Sequence, residues 1–158
     1  MESNPEYIAY IFDKYRDTVY RLAFSRVKNV ADAEDIFQQV FLKLIKNINK
    51  LENEEHIKHW LIRVTINLSK SHFSSVWHKN REALDENIPS EIESCETLMS
   101  VMSLPKKYRT VIHLHYYEGY SCEEIAELLG VSNGTVRTRL FRARAALKES
   151  LKEEFENV

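Results

Sequence analysis

Four arginines, Arg137, Arg139, Arg142 and Arg144, crowd into the stretch GVSNGTVRTRLFRARAAL, Gly130 to Leu147, which contains no acid. Arginine forks onto guanine O6 and N7 and also pairs with phosphate oxygens. The formal net charge of the chain is −2, so a nucleic-acid partner must be met by a local patch of this kind rather than by overall charge. If the stretch is helical, a turn of about 100° per residue puts Arg137, Thr138, Phe141 and Arg142 on one outward face. Arg139 and Arg144 flank that face and can reach phosphate or a partner. Ser132, Asn133 and Thr135 stand at the start of the helix, the end that meets base edges when a recognition helix enters the major groove. Gly134 lies among them, and its missing side chain permits close approach to DNA or to the preceding helix.

The preceding residues position that helix. Ser121 stands three residues before Glu124, a capping-box spacing, and opens CEEIAELL, with Ile125, Leu128 and Leu129 as its buried side. Gly130 ends it as glycine does at a helix C-terminus. Val131 points inward and Ser132 caps the next helix, whose buried side is Val136, Leu140, Ala143 and Leu147. A helix of about eight residues, a short turn and a second helix make a helix-turn-helix. Upstream, LMSVMSL leads into Pro105, a good first residue for the helix KKYRTVIHLHYYE. Its apolar stripe reads Tyr108, Val111, Ile112, His115 and Tyr116, and Gly119 breaks it. Tyr116, Tyr117 and Tyr120 read as core and turn contacts.

The first half is helical by its spacing. Ile8, Ile11, Phe12, Tyr15, Val19, Leu22, Ala23 and Val27 recur at steps of three and four. Asn29 and Asp32 interrupt, and a second stripe follows: Ala33, Ile36, Phe37, Val40, Phe41, Leu44, Ile45, Ile48. The opposite face carries Asp35, Gln38, Gln39, Leu42, Lys43 and Lys46. After the polar loop NKLENEEH a third helix starts near Glu55, burying Ile57, Trp60, Leu61, Val64 and Leu68, with Lys58, Arg63, Asn67 and Lys70 on its other face. It is expected to run to about Arg81. From Glu82 to Thr97 the periodicity is lost among six acids and no base, which reads as a solvated acidic linker.

The fold class is therefore all-α: two small helical domains, 1–81 and 98–158, joined by a flexible acidic linker, 82–97. Three glycines and three prolines are few for a sheet protein. Cys95 and Cys122 form no C-x-x-C pair, the polar N-terminus MESNPEYIAY lacks an apolar signal core, and no apolar run is long enough to span a membrane, so the expected location is the cytoplasm. His113 and His115 are two apart and point away from each other on a helix, while His56 and His59 lack a third ligand. No metal, no cofactor and no catalytic constellation are expected. A bare helix-turn-helix still serves repressors, activators and polymerase subunits alike.

The sequence resembles the extracytoplasmic-function (ECF) group of bacterial sigma factors. The similarity is carried by LPKKYRTVIHLHYYEGYSCEEIAELLGVSNGTVRTRLFRARAAL in the second half and by DAEDIFQQVFLKL and WLIRVTINL in the first. The resemblance implies a factor that binds RNA polymerase core, recognises promoter DNA, helps melt it and has no small-molecule substrate. The C-terminal domain would read the upstream (minus-35) element through Arg137, Thr138, Phe141 and Arg142. The N-terminal domain would engage the downstream (minus-10) element. Asp35, Gln38, Gln39 and Leu42 fall where the family meets polymerase, and Gln39 replaces a frequent glutamate. The loop from Asn47 to His56 matches one that captures an unpaired base, with Asn47, Asn49, Leu51 and Asn67 as contacts. Trp60 suits either the core or the base. Lys58, Arg63, Lys70, Lys79 and Arg81 offer phosphate neutralisation, and Thr65 stands where alanine is frequent. The acidic linker would thread a positively charged polymerase path. Such factors are commonly held by an anti-sigma factor, often membrane-bound, and control by a module appended after Val158 is not expected.

Overall fold

A computed structural model describes residues 4–76 and 100–156, the side chains at 72–76, 151 and 153–156 excepted. The expected linker, with Trp77, Lys79, Arg81, Cys95, Leu98 and Met99, lies outside the described residues. The chain forms two compact units, and every described element is helical or a connecting turn.

In the N-terminal unit, α1 (Pro5–Val27) begins three residues before the first apolar position of its stripe, because Asn4 caps it by accepting the Glu6 N–H. It ends where Lys28 turns left-handed at φ 54° and donates its N–H to the Phe24 carbonyl. Asn29 then caps α2 (Val30–Asn47) by accepting the Asp32 N–H at 3.0 Å. A single 3-10 turn, Ile48–Lys50, leads through residues 51–53 into α3 (Glu54–Val76). The three helices pack on one another. Ile11, Val19, Leu22 and Phe24 of α1 meet Ala33, Ile36, Val40 and Leu44 of α2 and Ile57, Leu61, Ile62 and Ile66 of α3 in a closed core. Each Val, Leu, Ile or Phe among these withdrawn from water contributes about 1.5–3 kcal/mol. Phe12 adds edge-on contacts to Phe37 and Phe41, at centroid distances of 5.8 and 4.9 Å.

Two expectations fail here. Ile45 is not buried with its stripe; it is 51% exposed, beside Leu42 at 59%. On α3 the buried line is Ile57, Leu61, Ile62, Thr65, Ile66 and Ser69, while Trp60, Val64 and Leu68 are only half-buried. The stripe is displaced because two of its members are polar by type. Thr65 Oγ1 donates to the Leu61 carbonyl at 2.7 Å and Ser69 Oγ to the Ile66 carbonyl at 2.6 Å, so neither hydroxyl enters the core unpaired. Ser69 Oγ also accepts from Arg26 Nε at 2.9 Å, tying the last turn of α1 to α3.

In the C-terminal unit a helical turn at 100–102 leads to Pro105, which directly precedes α4 (Lys106–Ile112) rather than occupying its first position. Val101, Met102 and Leu104 are buried. Arg109 is buried with them, donating to the Leu104 carbonyl at 2.6 Å, and burial pushes its guanidinium pKa down. The helix then widens into a π turn, His113–Tyr117. Gly119 at φ +74° reverses the chain, and α5 (Cys122–Leu129) and α6 (Asn133–Glu156) follow. α4 and α5 both pack on α6 around Val111, Ile112, Leu114, Ile125, Leu128, Val136, Leu140 and Ala143. Leu129 and Leu147 are half-buried at the margin.

The π turn overturns the expected stripe. An extra residue in the turn rotates everything after it, so His113 and Leu114 enter the core, His115 is half-buried, and Tyr116 and Tyr117 are exposed at 55% and 54%. Of the three tyrosines expected as core and turn contacts, only Tyr120 is buried.

Candidate nucleic-acid interface

The α5–turn–α6 segment is built by local chemistry. Ser121 Oγ accepts the Glu124 N–H at 3.2 Å while Glu124 Oε1 accepts the Ser121 N–H at 3.1 Å, a complete capping box. Gly130 sits at φ +69°, where a β-carbon is strained, and donates to the Ala126 carbonyl. Ser132 Oγ accepts the Thr135 N–H at 3.1 Å and shares a hydrogen bond with Thr135 Oγ1 at 2.8 Å, so these two hydroxyls form the cap of α6. Val136 is fully buried beneath them and fixes the roll of the helix.

That roll leaves Arg137, Thr138, Phe141 and Arg142 exposed on one face, with Phe141 at 72%. The two flanking arginines differ. Arg139 is half-buried, whereas Arg144 is pinned, donating from Nε to the Tyr116 hydroxyl at 2.5 Å with its guanidinium 5.7 Å from that ring. Asn133 is half-buried, and its Oδ1 is covered without a hydrogen-bond partner.

A concavity of about 540 Å³ opens beside the N-terminus of α6, lined by Lys107, Tyr108, Ser132, Gly134, Thr135, Thr138, Arg139 and Arg142. It brings Lys107 from α4 to the basic face, a residue the sequence reading missed; the only sequence signal is the Lys106–Lys107 pair at a helix start. Gly134 lines this hollow. A β-carbon there would meet only Ser132 Oγ, at 3.9 Å, an ordinary contact. Packing against α5 therefore does not demand glycine at this position.

In the N-terminal unit Asp35, Gln38, Gln39 and Leu42 are all exposed on α2. Gln39 Nε2 donates to Asp35 Oδ2 at 2.9 Å, one turn back. Ile45 lies one turn beyond Leu42 and extends the exposed apolar strip. In the loop, Asn47 donates from Nδ2 to the Lys43 carbonyl at 2.8 Å, Asn49 is exposed and Leu51 is half-buried. Ile48, buried, anchors the start of the loop. Its end is closed by Asn53, whose Oδ1 accepts the His56 N–H at 2.8 Å, and by the Glu52 N–H donating to His56 Nδ1 at 3.2 Å.

Along α3, Arg63, Asn67 and Lys70 are exposed and share a face with half-buried Trp60. Lys58 does not join them. It lies about 140° around the helix from Arg63, in register with buried Thr65 and Ser69, and is half-buried. Lys58 parts from the exposed face for the same reason that the α3 stripe is displaced: the buried line includes the polar residues Thr65 and Ser69. Among the described residues no group of three or more His, Cys, Asp or Glu could hold a metal ion, and no helix is long and apolar enough to cross a membrane.

The chain matches the family described as Sigma-70 region 2 over residues 11–79 and that described as Sigma-70, region 4 over residues 97–147. It is similar to the RNA polymerase sigma factor SigV of Bacillus subtilis, with 33% identity covering 89% of this chain and 88% of that one. It is also similar to the ECF RNA polymerase sigma factor SigW of the same organism, with 31% identity covering 90% and 88%. Its fold resembles that of the sigma factor RpoE of Bartonella quintana, solved in complex with the anti-sigma factor NepR, at a TM-score of 0.71 and 24% identity over 91% of this chain and 96% of that one. Regions 2 and 4 fall in order on the two helical units just described, and the chain thus belongs to the ECF sigma factors of the sigma-70 family, which bind RNA polymerase core and direct it to promoters to initiate transcription.

Proposed function

We propose that the two units divide promoter recognition between them, residues 98–158 reading the upstream element and residues 1–81 the downstream element, with 82–97 as the acidic connector. The observation that carries this reading is the outward face of α6, where Arg137, Thr138, Phe141 and Arg142 stand exposed in a segment free of acid. Arg137 and Arg142 suit base edges and phosphates, Thr138 a base edge, and Phe141 a thymine methyl. Ser132, Asn133 and Thr135 lie at the groove-entering end, where Ser132 and Thr135 act mainly by holding the cap. Lys107 joins Arg139 in neutralising phosphate.

On α2, Asp35, Gln38, Gln39 and Leu42 form the polymerase contact, and Ile45 belongs to the same strip. An apolar pair ringed by polar side chains is what a buried interface centre requires. Asn49 and Leu51 contact the unpaired downstream base, assisted by Asn47, Asn67 and half-buried Trp60. Arg63 and Lys70 meet phosphate.

The chain acts as a polymerase subunit rather than as an enzyme, in the cytoplasm, without cofactor or small-molecule substrate. The fold neighbour RpoE was solved with the anti-sigma factor NepR, and another, CnrH, with the cytosolic domain of CnrY. A regulator of that class, possessing a membrane anchor or not, is the proposed holding partner here.

Arg142→Ala tests the reading. Promoter-dependent transcription falls by about tenfold or more, the worth of a bidentate base contact, while binding to core polymerase is retained. Transcription that survives this change, together with Arg137→Ala and Thr138→Ala, would point instead to an adaptor that binds polymerase without reading DNA.

A further inference from the structure

The loop that follows α2 is short, and its inner hydrogen bonds fix its shape but not its place on the unit. Buried Ile48 anchors its start, and its far end is tied to α1. Glu54, the first residue of α3, pairs with Lys14 and accepts hydrogen bonds from the Tyr15 hydroxyl at 3.1 Å and the Tyr10 hydroxyl at 3.3 Å. Lys14 Nζ also lies 5.7 and 5.6 Å from the Tyr10 and Tyr15 rings, and Tyr10 stacks on Tyr7 at 6.3 Å. One carboxylate thus gathers three donors from two successive turns of α1. It does so at the N-terminus of α3, where the helix dipole favours negative charge. The residues just before it are those that close the loop.

This cluster does not complete the core. Tyr10 is exposed, as is Lys14, and only Tyr15 is buried. Its geometric consequence is specific: it ties α1 directly to the point where the loop enters α3. Asn49 and Leu51 lie three to five residues before that point. A binding constellation must be held within about 0.5 Å of its productive geometry.

We propose that Glu54 is a positioning residue for downstream-base recognition, held by Tyr10, Lys14 and Tyr15 so that the loop bearing Asn49 and Leu51 keeps its register. The proposal rests on the reading of that loop as the base-capturing element. Neither Glu54 nor its three partners touches DNA in this account.

The test is promoter-directed transcription by core polymerase with the full chain, on templates that differ only at the captured downstream base. The readout is the ratio of product from the preferred template to that from the substituted ones. A mutation that merely lowers the folded fraction reduces all templates alike and leaves this ratio unchanged. Glu54→Gln lowers the ratio about threefold or more, and Tyr15→Phe, which removes one donor and keeps the ring, lowers it less in the same direction. Core binding stays at the wild-type level in both. Should Glu54→Gln fail to fold, Tyr15→Phe and Tyr10→Phe carry the same prediction. Wild-type discrimination kept intact in these variants overturns the proposal alone. A wild-type chain without any base preference in the downstream element overturns the loop reading and the proposal together.

Discussion

Single residues in α6 separate into those free to meet DNA and those already engaged. Arg142 stands exposed beside Thr138 and Phe141, whereas Arg144 is held on Tyr116. The four arginines look alike in sequence, and the difference comes from a tyrosine 28 positions away that the π turn brings outward. Arg144→Ala should therefore cost much less promoter-dependent transcription than Arg142→Ala, measured side by side in the same assay. Gly134 makes a second residue-level prediction. A methyl group there meets only ordinary contact within the chain and raises helix propensity by up to about 1 kcal/mol. Gly134→Ala should leave the melting temperature unchanged or raise it, yet weaken upstream-element binding by polymerase holoenzyme if DNA approaches the start of α6 closely. Unchanged binding would mean that the hollow beside Gly134 stays open to solvent on the promoter.

Elements held by local chemistry were legible in the sequence. The Ser121–Glu124 box, Gly130 at the end of α5 and Ser132 at the start of α6 appear where the spacing places them, because each depends on residues within four positions. Ser121→Ala should lower stability by about 1 kcal/mol, a fall of about 4–8 °C in the melting of a domain this size. What the sequence did not show depends on packing at longer range. The register of α3 is hidden by Thr65 and Ser69, polar residues made compatible with burial by bonds to their own helix. The π turn is invisible to a search at a period of 3.6, and Ile45 carries no mark to tell an exposed isoleucine from a buried one. Glu54 was unremarkable in sequence, since its partners lie on α1 some 40 residues earlier. Its chemistry gives the element a pH signature. Lys14 and Tyr15 hold the Glu54 carboxyl below its ordinary value of 4.5, so the stability it contributes is complete above that value and is lost as pH falls through the folded value. Desolvation and the Glu54 bond push the Tyr15 phenol up to about 12 from 10.0, so its contribution is complete below 10.0 and is lost as pH rises toward 12. Thermal melts from neutral pH downward should show an acid-side loss that Glu54→Gln lacks, and alkaline melts a loss that Tyr15→Phe reduces.

At the scale of the molecule, the proposed reading gives each unit only a small surface for DNA: one helix face in the C-terminal unit, one loop and one α3 face in the N-terminal unit. A module that neutralises only a few phosphates binds duplex weakly, and added salt weakens it further. The net charge of −2 provides no general attraction to compensate. In the reading proposed above, strong and specific engagement requires both units to act at once, and the exposed Leu42–Ile45 strip would recruit the enzyme able to hold them on one promoter. The most direct measurement is run-off transcription by purified core polymerase on a promoter bound by the holoenzyme in cells, with and without this chain. The account predicts initiation from that promoter only when the chain is present, together with weak, salt-sensitive binding of the free chain to the same duplex. Initiation indifferent to its presence, or tight sequence-specific binding by the chain without polymerase, would contradict it.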